Sequence, residues 1–117
     1  LCSEGYYDPI IMPKCVWFCF SKNDVMISCF RICVLQGGHY ISHLCVMPES
    51  RNQGIAKQML EFLFYYSNHI KFKTTFYLYV KEDNKKAVAL YESCGFIVEG
   101  LLDGVIRYMK HTEIKQP

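Results

Sequence analysis

The sequence predicts an α+β fold, a mixed-sheet sandwich in the order β-β-β-α-β-α-β-β, as one domain over residues 1–117. Three observations predict it. Up to residue 47 the chain carries apolar runs rich in β-branched and aromatic residues, separated by short polar turns. From residue 54 the apolar period becomes that of a helix. Beyond residue 73, strand-like and helix-like runs alternate to the end.

The elements follow in order. "KCVWFCF" (14–20) is short, apolar and aromatic, and reads as a strand. "SKND" (21–24) supplies turn residues. "VMISCFRICVL" (25–35) is the second strand, "QGGH" (36–39) the next turn, and "YISHLCVM" (40–47) a third strand stopped by Pro48. Connections this short make an antiparallel meander. Ile55, Met59, Phe62, Leu63 and Tyr66 then recur at helical spacing over 54–68. "TTFYLYV" (74–80) returns to strand character. A second helix opens on Asp83 or Asn84 as N-cap, places Ala87, Val88, Leu90, Tyr91 and Cys94 on its apolar side, and ends at Gly95. "FIVEG" (96–100) and "GVIRYMKH" (104–111) are closing strands. Residues 1–13, with Gly5, Pro9 and Pro13, read as irregular. Leu1 in place of Met fits a chain lacking its natural beginning.

Composition narrows the function classes. Half the residues are apolar (51%) and the net charge is only +2, which gives no electrostatic case for a nucleic-acid partner. No apolar run approaches the roughly 20 residues needed to span a bilayer. No secretory signal opens the chain. Seven cysteines invite a metal or disulfide reading. Cys-x-x-Cys does not occur, and Cys15/Cys19 and Cys29/Cys33, four apart in strands, are separated by roughly 13 Å within each pair, too far to share a metal. The expectation is therefore no metal, and reduced, buried cysteines in a reducing compartment, cytoplasmic or nuclear.

"PESRNQGIAKQML" (48–60) carries the chemistry. A helix N-terminus offers unpaired N–H groups and the positive end of the macrodipole. A turn entering it can curl further N–H groups round a phosphate. Gly54 removes a Cβ that would hold an anion away, Ala56 keeps the next position small, and Arg51 can add a charge-assisted contact.

With "NKKAVALYESCGF" (84–96), this segment resembles the GCN5-related N-acetyltransferase (GNAT) superfamily. Arg51, Gly54 and Ala56 match its Gln/Arg-x-x-Gly-x-Gly/Ala motif, and Asn84, Ala87, Leu90, Tyr91, Gly95 and Phe96 match its second hallmark. The resemblance covers about residues 14–111. It implies a mostly antiparallel mixed sheet with helices on both faces, the amino-terminal strand and helices being reduced or missing. It implies transfer of an acetyl group from acetyl-coenzyme A to a primary amine, of a protein, a peptide or a small molecule, by direct attack in a ternary complex, in a monomer or homodimer. The alternative is a catalytically silent coenzyme A-binding module.

The resemblance also implies site residues. The end of the third strand (Leu44, Cys45, Val46, Met47) splays from its neighbour and pairs with the pantetheine arm. Backbone N–H groups of Asn52, Gln53, Gly54, Ile55 and Ala56 hold the pyrophosphate, with Arg51 beside them. Asn84 contacts pantetheine or backbone, and Lys57, Lys85 and Lys86 are candidates for the outer phosphate. The amide near Val46 is the oxyanion donor. Tyr91 sits at the general-acid position. A phenol near pKa 10 stays protonated at neutral pH and can donate to a thiolate whose thiol has a pKa of about 8.5. The base is open. If Val46 faces the cofactor, alternation puts Leu44, Ser42 and Tyr40 on its side and His43 with Cys45 on the other, unless a bulge changes the parity. Tyr79 stands where some relatives have Glu. Tyr40, Ser42, Tyr79 and His43 are thus candidates for a base or a water relay.

Overall fold

The structure, a computed structural model, describes residues 14–35 and 38–112, so the expectation of an irregular segment over 1–13 lies outside the described residues. The elements are β1 (Lys14–Lys22), β2 (Val25–Leu35), β3 (Gly38–Val46), a short 3₁₀ turn (Pro48–Ser50), α1 (Ile55–His69), β4 (Thr75–Lys81), α2 (Lys85–Ser93), β5 (Ile97–Leu102) and β6 (Val105–His111). They form one six-stranded sheet in the order β1-β2-β3-β4-β6-β5, antiparallel except where β3 meets β4. The mixed α+β class and the element order are those expected. The 3₁₀ turn was not expected; it follows from Pro48 at its first position, where a missing N–H costs nothing.

One feature differs from the expectation of helices on both faces. Phe64 of α1 packs on Phe76, with ring centroids 5.6 Å apart, and Tyr91 of α2 packs on Tyr108 at 6.3 Å. Phe76 and Leu78 share a side of β4, and Tyr108 pairs with Leu78, so both helices cover the same face. The reason is topological. The crossovers β3-α1-β4 and β4-α2-β5 step across the sheet in the same direction, and a common hand then puts both helices on one side. Between helices and sheet lies the core, with Phe30, Met59, Leu60, Phe76 and Tyr108 each 1% exposed or less. The buried Tyr108 hydroxyl donates to Glu92 Oε2 (2.8 Å), and burial with that carboxylate beside it pushes its pKa up to about 12.

The cysteines correct the sequence reading. Antiparallel pairing of β1 with β2 sets Cys15 opposite Cys33, and the two are joined in a disulfide with Cα atoms 4.0 Å apart. Cys45 is disulfide-bonded as well and Cys19 is an exposed thiol, so the cysteines are not the uniformly reduced, buried set expected of a reducing compartment. Spacing along one strand cannot reveal a partner on the next. Reducing the Cys15–Cys33 bridge, which spans a separation of 18 residues, should release the chain-entropy stabilisation of a loop this size. The expected loss is about 3 kcal/mol, seen as a lower urea midpoint in reductant and in Cys15→Ser. An unchanged midpoint in both would contradict it.

His39 gives the fold a pH dependence. Its Nδ1 lies 2.5 Å from Thr74 Oγ1 and its ring packs edge-on against Phe72 (5.0 Å). Burial holds its pKa below the ordinary histidine value. The unfolded chain therefore binds a proton first on acidification, so stability present above about pH 6.5 is lost as pH falls towards the folded pKa. The expected result is a thermal midpoint that drops between pH 7.5 and 5, with a shallower drop in His39→Gln. Equal slopes would remove His39 as the cause.

Candidate active site

The parallel pair β3–β4 opens like a fork. Its ladder is limited to His39 with Phe76 and Tyr40 with Tyr77, after which β3 runs on to Val46 and β4 to Lys81 unpaired with each other. On the helix side of the fork is a cavity of about 710 Å³. Leu44, Cys45 and Val46 line it from β3, and Ser50, Arg51, Asn52 and Gly54 from the following loop. Ile55, Ala56 and Lys57 contribute from α1, and Asn84, Lys86, Ala87, Leu90 and Tyr91 from α2 and its cap.

The loop into α1 is shaped by two left-handed residues, Asn52 (φ 63°) and Gly54 (φ 73°). Alternating handedness of this kind turns successive N–H groups towards one concavity. Gly54 is the N-cap, no side chain caps the helix, and the first intrahelical bond runs from Gln58 N–H to the Gly54 carbonyl (3.0 Å). The amides of residues 55–57 are thus left without intrahelical acceptors at the positive end of the helix. A Cβ on Gly54 would meet no protein atom within 4 Å. The glycine therefore answers to its φ and to the space beside it, not to packing.

Several of the expected side chains also make contacts within the protein. Arg51 turns back, and its Nε donates to the Val46 carbonyl (2.9 Å), so it braces the end of β3. Gln53 donates from its side chain to the Glu49 carbonyl (3.3 Å) and does not line the cavity. Met47 is also outside the lining, and its amide already donates to the Ile27 carbonyl (2.8 Å), which removes it as a pairing group for a ligand. Among the lysines, Lys86 reaches across the mouth to donate to Asn52 Oδ1 (2.9 Å), linking loop to α2. Lys57 lines the cavity and Lys85 does not. Asn84 is the N-cap of α2, its Oδ1 accepting the Ala87 N–H (3.2 Å), while Gly95 with φ 92° ends the same helix. Ser50, Ala87 and Leu90 line the cavity without having been singled out as cofactor contacts; Ala87 and Leu90 were visible in the second hallmark, but only as matching positions.

Tyr91 stands on the inner side of α2, against Phe96 and Tyr108, and lines the cavity. Burial, and then the neighbouring Cys94, raise its pKa above the ordinary phenol value. It therefore keeps its proton across the neutral range.

The base candidates lie on the other face of the sheet, because of a bulge. Arg31 pairs with Ser42 and Cys29 with Cys45, so His43 and Leu44 together oppose Phe30, and His43 adopts φ 56°. The bulge changes the parity. Leu44 turns to the core and the cavity, away from Ser42 and Tyr40. His43, expected opposite Ser42, instead joins it, with Nδ1 3.0 Å from Ser42 Oγ and its ring 5.7 Å from Trp17. Ser42 Oγ also accepts from Arg31 Nε (3.3 Å). Tyr40 stacks between Tyr77 (5.1 Å) and Tyr79 (6.0 Å).

Arg107, which sequence reasoning missed, organises this cluster. Its guanidinium lies 4.3 Å from the Tyr77 ring, Nη2 donates to Tyr40 Oη (3.0 Å), and Nε is 3.3 Å from Glu99 Oε2. Burial holds the Tyr40 phenol above its ordinary pKa although the guanidinium pulls the other way. The fork thus separates two chemical settings, N–H groups with a phenol on the helix side, and a tyrosine row with guanidinium and histidine on the open side. Among the described residues no group of three or more His, Cys, Asp or Glu is gathered to hold a metal ion, and no helix is long and apolar enough to cross a membrane.

Residues 3–96 match the Acetyltransferase (GNAT) family. The chain belongs to this family. A 59-residue stretch is 39% identical to the spermidine N(1)-acetyltransferase of Vibrio cholerae, covering 50% of this chain and 34% of that protein. The chain thus matches about a third of the length of this curated GNAT relative. Among solved structures, the ribosomal-protein-S18-alanine N-acetyltransferase of Escherichia coli superposes with a TM-score of 0.73 at 23% identity, over 87% of this chain and 72% of that one. Spermidine N-acetyltransferase from Vibrio cholerae, solved with coenzyme A and spermine, gives 0.70 at 24% identity, over 84% and 66%. At these identities the likeness is one of GNAT fold.

Proposed function

We propose that this chain carries an acetyl-coenzyme A-dependent N-acetyltransferase site acting on a primary amine, of a peptide, a protein or a small molecule. The observation that carries the reading is the 710 Å³ cavity beside the β3–β4 fork, lined together by the left-handed loop, the first turn of α1 and Tyr91. The residues present fit the cosubstrate. Orphaned amides at 55–57 and the bare Gly54 suit a diphosphate, Lys57 supplies positive charge at the cavity wall, and the unpaired stretch of β3 offers backbone to an extended arm. Bound there, acetyl-coenzyme A supplies an activated acyl group as a thioester.

The chain's own groups then have distinct tasks. The end of β3, braced by Arg51 on the Val46 carbonyl, presents main-chain N–H to the developing oxyanion. Tyr91, kept protonated by its burial, donates to the departing sulfur. On the open side the acceptor amine must lose a proton, since an ordinary alkylamine of pKa about 10.4 is almost wholly charged at neutral pH. Tyr40 is held protonated too, so it passes a proton along rather than serving as a phenolate. With the half-exposed Tyr79 and the Ser42–His43 pair it forms a relay towards solvent.

The test is release of coenzyme A thiol by the purified chain with acetyl-coenzyme A and a panel of a neutral peptide α-amine, a lysine peptide and spermidine. At least one acceptor should raise release above the acceptor-free control. Binding of acetyl-coenzyme A by calorimetry with no acceptor-dependent release would overturn the catalytic reading in favour of a silent coenzyme-binding module. No binding at all would overturn both.

A further inference from the structure

The open side of the sheet is unequally charged. Side chains two apart on a strand share a side. Arg31 of β2 alternates with the buried Phe30 and Ile32, Lys81 of β4 follows Tyr77 and Tyr79, and Arg107 of β6 pairs with Tyr79. All three cations therefore stand on the side away from the helices. Among the described residues the strands hold a single carboxylate, Glu99 of β5. Its Oε2 lies 3.3 Å from Arg107 Nε, so its charge is already matched. Arg31 has no ion-pair partner among the described residues. Its Nε donates to Ser42 Oγ (3.3 Å), and its guanidinium carbon lies 5.8 Å from the ring centre of Trp17, which is 50% exposed. A guanidinium has five N–H donors in a fixed fork, so most of those of Arg31 remain for a ligand or solvent.

Resting on the acetyltransferase reading, we propose that Arg31 selects an acceptor carrying a carboxylate a few bonds from its primary amine, as in a peptide that starts with aspartate or in free aspartate. Ser42 joins the two parts of the site. Its Oγ accepts from Arg31 and lies 3.0 Å from His43 Nδ1. An amine that gives its proton to the Ser42–His43 pair therefore has the guanidinium beside it. A carboxylate on the same residue then accepts two parallel N–H bonds from the guanidinium edge. The exposed face of Trp17 borders the same position and covers the carbon atoms between amine and carboxylate. Surplus positive charge also favours the neutral amine, which is the form that attacks. For a polyamine the same field is adverse, because each further ammonium meets Arg31, Lys81 and Arg107 while Glu99 is already paired.

Coenzyme A release by the full chain is followed with two matched pairs of acceptors, peptides starting with aspartate or asparagine, and free aspartate or asparaginamide, with spermidine beside them. At least one acidic member should exceed its amide in kcat/KM by about 10- to 100-fold, the range expected of a charge-assisted hydrogen bond. The advantage should lie mainly in KM and shrink as salt is added. Preference within the peptide pair alone assigns a peptide acceptor, and within the free pair alone a small one. In Arg31→Gln the preference should vanish, and Arg31→Lys, which keeps the charge but not the fork, should retain part of it. Spermidine should be the slowest acceptor. Equal rates for acid and amide, a faster spermidine, or a preference unmoved in Arg31→Gln would overturn the proposal while acetyl transfer stands. No release with any acceptor would instead overturn the acetyltransferase reading, and the proposal with it.

Discussion

Gly54→Val is expected to weaken acetyl-coenzyme A binding by about 10- to 100-fold, the loss of a charged hydrogen-bond contact or two, while leaving a folded chain. The residue sits at φ 73° as the N-cap of α1, and no protein atom lies within 4 Å of where its Cβ would stand. The added Cβ therefore clashes with nothing in the protein itself. The cost to folding is the left-handed backbone, about 1–2 kcal/mol for a residue with a Cβ. The cost to binding is separate: Gly54 lines the cavity, and on the proposed reading a branched side chain there intrudes where a diphosphate approaches the amides of 55–57. Gly54→Asn separates the two effects, since asparagine tolerates the left-handed region better. It should recover most of the stability but little of the affinity. Calorimetry and thermal denaturation on both variants make the comparison. Wild-type affinity in Gly54→Val would mean that the diphosphate lies elsewhere.

That glycine was legible in the sequence because it breaks a helical pattern with a residue the pattern does not need. Asn84 and Gly95 were legible for a similar reason, as a side-chain cap and a left-handed stop bracketing one short apolar period. Local signals of this kind survive in a linear reading. What did not survive depends on which strand lies beside which. The bulge that turns His43 towards Ser42 exists only in the register of β2 with β3, since nothing in "YISHLCVM" marks residue 43 as left-handed. The Cys15–Cys33 bridge arises from the same kind of cross-strand meeting. Arg107 reaches Tyr40 across 67 positions of sequence, through a sheet order that places β6 between β4 and β5. Arg51 lines the cavity and also bonds the end of β3, a contact that a linear reading does not show. The Val46 carbonyl at 2.9 Å satisfies its Nε before any ligand arrives.

Tyr91→Phe is expected to lower kcat by about 100- to 10,000-fold, the usual range for a lost general acid, with acetyl-coenzyme A affinity nearly unchanged. The ring packs against Phe96 (6.0 Å) and Tyr108 (6.3 Å), contacts that phenylalanine keeps. Only the O–H is removed, so the coenzyme cavity and the fold persist and the defect falls on departure of the thiolate. The pH profile adds a second check. Burial and Cys94 hold the Tyr91 pKa above 10, so the wild-type rate should climb with pH as the acceptor amine loses its proton and should not turn down until beyond about pH 10. The same raised value makes folding stability fall as pH rises past the unfolded phenol's pKa, because the native chain then holds a proton that the unfolded chain has lost. In Tyr91→Phe that alkaline loss should be smaller. A variant with wild-type kcat, or a wild-type profile that falls near pH 8, would assign proton donation to another group and leave Tyr91 as a packing residue of α2.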